Sequence, residues 1–172
     1  MALYALGDIE PQIDPDAFVH PECTIIGNVV IGPGATIWPQ AVLRGDQSKI
    51  VIGARTSVQD GAVIHCTRTL HTLVGADCTI GHLAHLEGCT VEDGALIGTG
   101  SIVLHNAIIR SGALVGAAAL VPGGMEVPSG AMALGVPAKI KEGAVQPDMV
   151  THPVNEYQRN WDRYRTEMRR LD

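Results

Sequence analysis

Aliphatic side chains recur every six residues along this chain, as Ile31, Ile37 and Leu43, then Ile52, Val58 and Ile64, then Val74, Ile80 and Leu86. A period of six is neither the two of an alternating strand nor the 3.6 of an amphipathic helix, and self-similarity of this kind marks a solenoid. Four residues after most of these anchors comes a small side chain: Ala35, Ala41, Thr56, Ala62, Cys78, Ala84, Thr90, Ala95, Ser101, Ala107, Ala113 and Ala119. Large and small inward positions therefore alternate. Three hexads make a coil of about eighteen residues. Ile13, Val19 and Ile25 extend the register backwards, and Val91, Ile97, Val103, Ile109, Val115 and Val121 carry it forwards, so about six or seven coils stack. Each flat face is expected to be a short parallel strand, bonded to the coils above and below at about 4.8 Å, with Gly, Asn, Asp and Pro at the corners. The expected fold is all-β, a triangular parallel β-helix over residues 1–140. An aromatic content of 3% with 20 glycines suits so narrow an interior.

Two breaks in the register, after Leu43 and after Ile64, must bulge outward from a stack whose faces are fixed. The second, Cys66 to Leu73, leaves the body beside His65 and marks the place to look for a site. Gly135-Val136-Pro137-Ala138-Lys139 closes the repeat, and residues 141–172 are expected to form a linker and an amphipathic helix. That helix is placed after Pro153, with Tyr157, Trp161, Tyr164 and Met168 on its apolar face. Cys23 and Cys78 fall at small inward positions, where a reduced thiol packs as an apolar group, so no structural disulfide is expected. A net charge of −6 lacks the excess of Lys and Arg that neutralises phosphates, which argues against nucleic acid. No basic, apolar leader opens the chain and no stretch approaches the roughly 20 apolar residues that cross a bilayer. A cytoplasmic protein with no membrane partner is the expectation.

Register also assigns outward positions. The residue after each anchor points away from the core, and the same slot in successive coils forms a column. Arg44, His65 and Glu87 follow Leu43, Ile64 and Leu86 in one such column, so His65 and Glu87 should lie about 5 Å apart at Cβ. Asp60 should lie beneath His82 in a neighbouring corner column, and His85 faces outward on the strand that bears Glu87. Two imidazoles and a carboxylate are thus expected on adjoining parts of one outer surface. A lone histidine on such a face is more often a hydrogen-bonded surface group than a ligand, and His20, His71, His105 and His152 are read that way.

Several motifs stand in a definite order: Ile37-Trp38-Pro39, Leu43-Arg44-Gly45-Asp46, Ser57-Val58-Gln59-Asp60-Gly61, Val63-Ile64-His65, Ile80-Gly81-His82, Leu86-Glu87-Gly88-Cys89 and Gly135-Val136-Pro137-Ala138-Lys139. In this run the chain resembles the gamma-class carbonic anhydrase-like family over nearly the whole repeat region. The resemblance supplies the left-handed sense of the coil, which sequence periodicity does not, since parallel crossovers are normally right-handed. It implies a homotrimer with one Zn2+, sometimes iron or cobalt, at each subunit interface, held by three histidines of which two come from one chain. His65 matches the first ligand and His82 the one that reaches across. Arg44, Asp46 and Asp60 match a polar interface network, and Gln59 matches the group that bonds the reactive water. The implied reaction is reversible hydration of carbon dioxide to bicarbonate.

The chain departs from that pattern at Glu87, where the family usually has histidine, while a histidine stands two residues earlier at His85. Gln47 also occupies a place where some members carry a shuttling glutamate. Three readings of Glu87 follow. It serves as third ligand beside two imidazoles; or His85 restores a third nitrogen while Glu87 fixes a ring; or the metal is gone and a trimeric scaffold for a small molecule or partner remains. With a carboxylate ligand, hydration should be slow. Acyl transfer from acyl-CoA is a further alternative on this scaffold, though the short excursion at Cys66–Leu73 leaves little room for a thioester cleft.

Overall fold

The three inward columns of the repeat stack as the hexads require. The computed structural model describes all 172 residues. In the first column Leu43 lies beneath Ile64, followed upward by Leu86, Val103 and Val121. Ile52, Val74, Val91, Ile109 and Val127 form the second. Val19, Ile37, Val58, Ile80, Ile97, Val115 and Ala133 form the third. Apart from Val19, every one of these side chains is buried, and removing each Val, Leu or Ile from water contributes about 1.5–3 kcal/mol.

Strand pairing between coils is parallel throughout the body, and the coils wind left-handed. Two faces belong to one 12-stranded sheet, because the long strands Thr24–Ile31 and Val42–Ile52 turn a corner without breaking and serve both. The third face is a separate 8-stranded sheet. Ala2–Tyr4 pairs alongside Thr24–Ile26 at one end. At the other, Lys139–Lys141 folds back antiparallel on Met132–Leu134 and ends the stack.

The small inward slot follows the expected series with one correction. Leu86 and Val91 are five residues apart, so the side chain two before Val91 is Cys89, 2% exposed, and Thr90 lies half outside. The excursion after His65 is also shorter than expected. Cys66 and Thr72 are both buried and continue the core, leaving only residues 67–71 to bulge. All four cysteines are free thiols inside the body. Burial pushes the Cys23 and Cys78 thiols up to about 11 and that of Cys89 to about 12.

The helix runs Pro147–Glu167 and begins earlier than the sequence reading placed it. Pro147 stands in its first turn, where a missing N–H costs nothing, and Val150 and Val154 are the buried side chains that seat it. Pro153 lies inside the helix rather than before it. The helix packs on the 8-stranded face of its own solenoid, against Thr36–Ile37 and Thr79–Ile80. Tyr157 and Tyr164 meet Trp38 edge-on at ring-centroid distances of 5.2 and 5.0 Å, and Phe18 meets Trp38 at 5.3 Å. Met168 is the C-cap and 43% exposed, so it does not share that packing. No helix is long and apolar enough to cross a membrane.

Candidate functional site

His65 ends the strand Val63–His65, with Arg44 below it and Glu87 above as register partners. Its Nε2 lies 2.8 Å from Asp46 Oδ1 and its Nδ1 2.8 Å from Glu87 Oε1. An ionised carboxylate only accepts, so both bonds form together when both ring nitrogens carry hydrogens. The Arg44 guanidinium in turn pairs with Asp46. The result is a row of Arg44, Asp46, His65 and Glu87 that alternates in charge when the ring carries both hydrogens, and the imidazole side chain is only 12% exposed. Burial works to raise Asp46, but hydrogen bonds from His65 and Arg44 outweigh it and hold the carboxyl below its usual range. Glu87 is held low in the same way, burial being opposed by the His65 bond and by the charges of His65, His105 and His85. Thr72 fixes the strand end, donating from Oγ1 to the His65 carbonyl and accepting from Gly88 N–H at 2.8 Å.

The second oxygen of Glu87 faces two further rings. His105 Nε2 lies 3.4 Å and His85 Nε2 3.7 Å from Glu87 Oε2. His85 stands between Val63 and Ile102 in its own outward column, and those two apolar side chains are each 39% exposed. His105 was read from sequence as an ordinary surface group. Comparing coils across Gly88, whose backbone partner is Asn106, would have found it.

His82 belongs to a different group. It follows Thr79–Ile80 on the 8-stranded sheet and turns at the corner, its Nδ1 2.9 Å from Asp60 Oδ2 and its Nε2 3.1 Å from the Tyr157 hydroxyl. With Nδ1–H donating to the carboxylate, Nε2 accepts from the phenol. Burial, then the charge of Asp60, raises the Tyr157 hydroxyl to about 12, which keeps it a donor. Gln59 is 5% exposed and lines a cleft of about 420 Å³ with Thr79, His82 and Tyr157. Tyr157, 75 residues from its partner, was visible in sequence only as part of a helix face.

The single surface expected for His65 and His82 is thus corrected to two groups within one chain. Arg44, Asp46, His65, His85, Glu87 and His105 share the 12-stranded sheet's outer side. Gln59, Asp60, His82 and Tyr157 share the corner beneath the helix, and no hydrogen bond or ion pair joins the two groups. The physical reason is the corner itself: His82 sits just past it and is drawn toward the helix. As the side chains stand, no three His, Cys, Asp or Glu converge closely enough to coordinate an ion. The donor chemistry nevertheless fits a divalent metal, since imidazole nitrogen and carboxylate oxygen both hold zinc, iron or cobalt.

Residues 10–45 match the family model described as bacterial transferase hexapeptide (six repeats). Gamma carbonic anhydrase 2, mitochondrial, of Arabidopsis thaliana is 44% identical over 103 residues, 56% of this chain and 37% of that protein. The carnitine operon protein CaiE of Escherichia coli O157:H7 is 39% identical over 104 residues, 60% of this chain and 53% of that protein. These matches take in only 37% and 53% of the relatives' own lengths. Solved structures match more completely. A hexapeptide transferase family protein from Anaplasma phagocytophilum superposes with a TM-score of 0.91 at 34% identity, covering 95% of this chain and 98% of that one. A putative acetyltransferase from Bacillus cereus gives 0.94 at 32% identity, covering 97% and 98%.

Proposed function

Since the chain belongs to the hexapeptide-repeat family and is gamma carbonic anhydrase-like within it, we propose that it is a homotrimer that hydrates carbon dioxide reversibly to bicarbonate. The site lies between subunits and takes a divalent ion, zinc first, with iron or cobalt as substitutes. His65 and Glu87 of one subunit and His82 of the next would hold the ion, which supplies the Lewis acidity that brings the pKa of water toward 7. The observation that carries this reading is the division of one chain's polar residues into two incomplete groups. One has an imidazole held by two carboxylates and the other an imidazole held by one carboxylate and a phenol, and they lie on different sides of a corner. A neighbouring subunit that brings its His82 corner against the His65 face completes both.

The residues then have separable tasks. Asp46, anchored by Arg44, sets the tilt of the His65 ring. Asp60 fixes His82 in the tautomer whose Nε2 is free of hydrogen. The buried amide of Gln59 has donors and an acceptor with which to orient a water in the cleft. Val63 and Ile102 offer an apolar surface to an uncharged substrate. Because a coordinating ring nitrogen must carry no hydrogen, metal uptake is favoured by rising pH. An anionic ligand at position 87 lowers the net positive charge of the site and leaves water less acidic than three neutral histidines would, so turnover is slow near neutrality.

Mixed trimers test the shared site. His65→Ala and His82→Ala homotrimers should each lack this metal and hydrate carbon dioxide at the buffer rate. Refolding them together should regenerate interfaces with both histidines intact, and with them metal and turnover. Mixed trimers that regain neither would contradict the proposal.

Acyl transfer is the second reading, favoured by Asp60 and His82 beside a cleft: a ring fixed at Nδ1 by a carboxylate has the arrangement of a general base. Turnover of acetyl-CoA with a hydroxyl or amine acceptor, lost in His82→Ala, would select it.

A further inference from the structure

We infer that His85, Glu87 and His105 form a second binding position for a divalent transition-metal ion, contained within one subunit, with Glu87 shared between it and the interface site. Glu87 uses its two oxygens differently. Oε1 takes a hydrogen bond of ordinary length from His65. Oε2 is flanked by His105 Nε2 at 3.4 Å and His85 Nε2 at 3.7 Å. Both separations exceed the 2.7–3.2 Å of an N–H···O bond. The His105 separation matches instead the spacing of two ligands around a tetrahedral ion, about 3.3–3.4 Å when each bond is about 2.0–2.1 Å, and the His85 separation is longer, so that ring must move closer.

Neither ring has another polar partner. No hydrogen bond and no ion pair other than those to Glu87 involves the side chain of His85 or His105, and the side chains are 36% and 47% exposed. Within the single subunit they are open to solvent and free to turn. Turning is required, because the three donors do not yet converge on one point. The backbone supports that convergence. His85 and Glu87 project from the same side of the strand His85–Glu87, and His105 comes from the next coil after Ile102–Val103. The His105 ring lies over Gly88, where a Cβ would stand 3.1 Å from its Cδ2. Gly88, at φ +62°, leaves the space through which that imidazole reaches Glu87. Two imidazoles and one carboxylate then leave positions for water or a small anion.

This inference rests on the reading that the chain is a metal protein but not on the shared site. Cobalt(II) titration of the purified trimer, read by its visible absorption and by equilibrium dialysis, separates the two. Wild type should bind two cobalt ions per subunit. His105→Asn and His85→Asn should each weaken one of them by at least about tenfold and leave the other unchanged, while His82→Asn should remove the other alone. Circular dichroism and sedimentation check that each variant still folds and assembles. A His105→Asn titration superimposable on wild type overturns the inference, and if His82→Asn then abolishes binding the shared site stands alone. Weakening by His105→Asn with no effect of His82→Asn upholds the inference and overturns the shared site. Absence of cobalt binding by wild type overturns both.

Discussion

Trp38→Ala should detach the helix that holds His82. The indole is 4% exposed, and three aromatic rings surround it: Phe18 from the solenoid and Tyr157 and Tyr164 from the helix. Truncating a buried tryptophan costs about 3–5 kcal/mol, and each edge-on aromatic pair supplies about 0.5–1.5 kcal/mol of that beyond area alone. The indole Nε1–H also donates to Thr36 Oγ1 at 3.0 Å, and that hydroxyl is fully buried, so its lost partner accounts for about 1 kcal/mol of that cost. Two of the three rings sit on the helix, so the damage should concentrate there while the aliphatic columns stay intact. Urea unfolding at fixed protein concentration, which removes the effect of assembly, should show a loss of about 3–5 kcal/mol. Amide exchange over residues 147–167 should accelerate far more than exchange in the coil strands. A loss under about 1 kcal/mol with unchanged helix exchange would refute the argument that this cluster seats the helix.

Leu83 adopts the left-handed backbone at φ 59° and is 68% exposed next to His82. Leu83→Asn should raise subunit stability by up to about 1 kcal/mol yet weaken trimer association, and an unchanged association constant in sedimentation would place Leu83 outside the interface. Asp46 and Glu87 both titrate below the ordinary carboxylate range, so their stabilisation is fully present above that range and is lost as pH falls through their folded values. Glu87→Gln should flatten this acid limb of stability against pH, and a limb unaltered by the substitution would show that the Glu87–His65 bond contributes nothing. Cys23, Cys78 and Cys89, with thiols raised to about 11, 11 and 12, should resist a thiol reagent at pH 8 until the protein is unfolded. Fast labelling of these three in the native protein would contradict their burial.

The fold was legible because a coil repeats its geometry, so one hexad register places Ile31 and Val121 alike. It misled where the repeat is short by one residue: five residues separate Leu86 from Val91, and counting four onward picked Thr90 over Cys89. Proline misplaced the helix start because two of them can each open a helix, and only the burial of Val150 one turn before Val154 chooses Pro147. The column Arg44, His65, Glu87 was readable since it needs only strand register. The direction in which the His82 ring turns was not, because a tyrosine 75 residues away decides it. His105 lies two residues past its anchor Val103, where the rule for outward positions assigns no column. It reaches Glu87 only because Gly88 has no side chain.

The proposed function stands or falls on metal-dependent hydration of carbon dioxide. Stopped-flow indicator measurement of the zinc-loaded trimer tests it most directly, with the same sample repeated after chelation and with Glu87→Ala alongside. The expected result is a slow rate above buffer that rises with pH, disappears on chelation and is lost in Glu87→Ala. Zinc bound at full stoichiometry with a hydration rate no higher than buffer would contradict it.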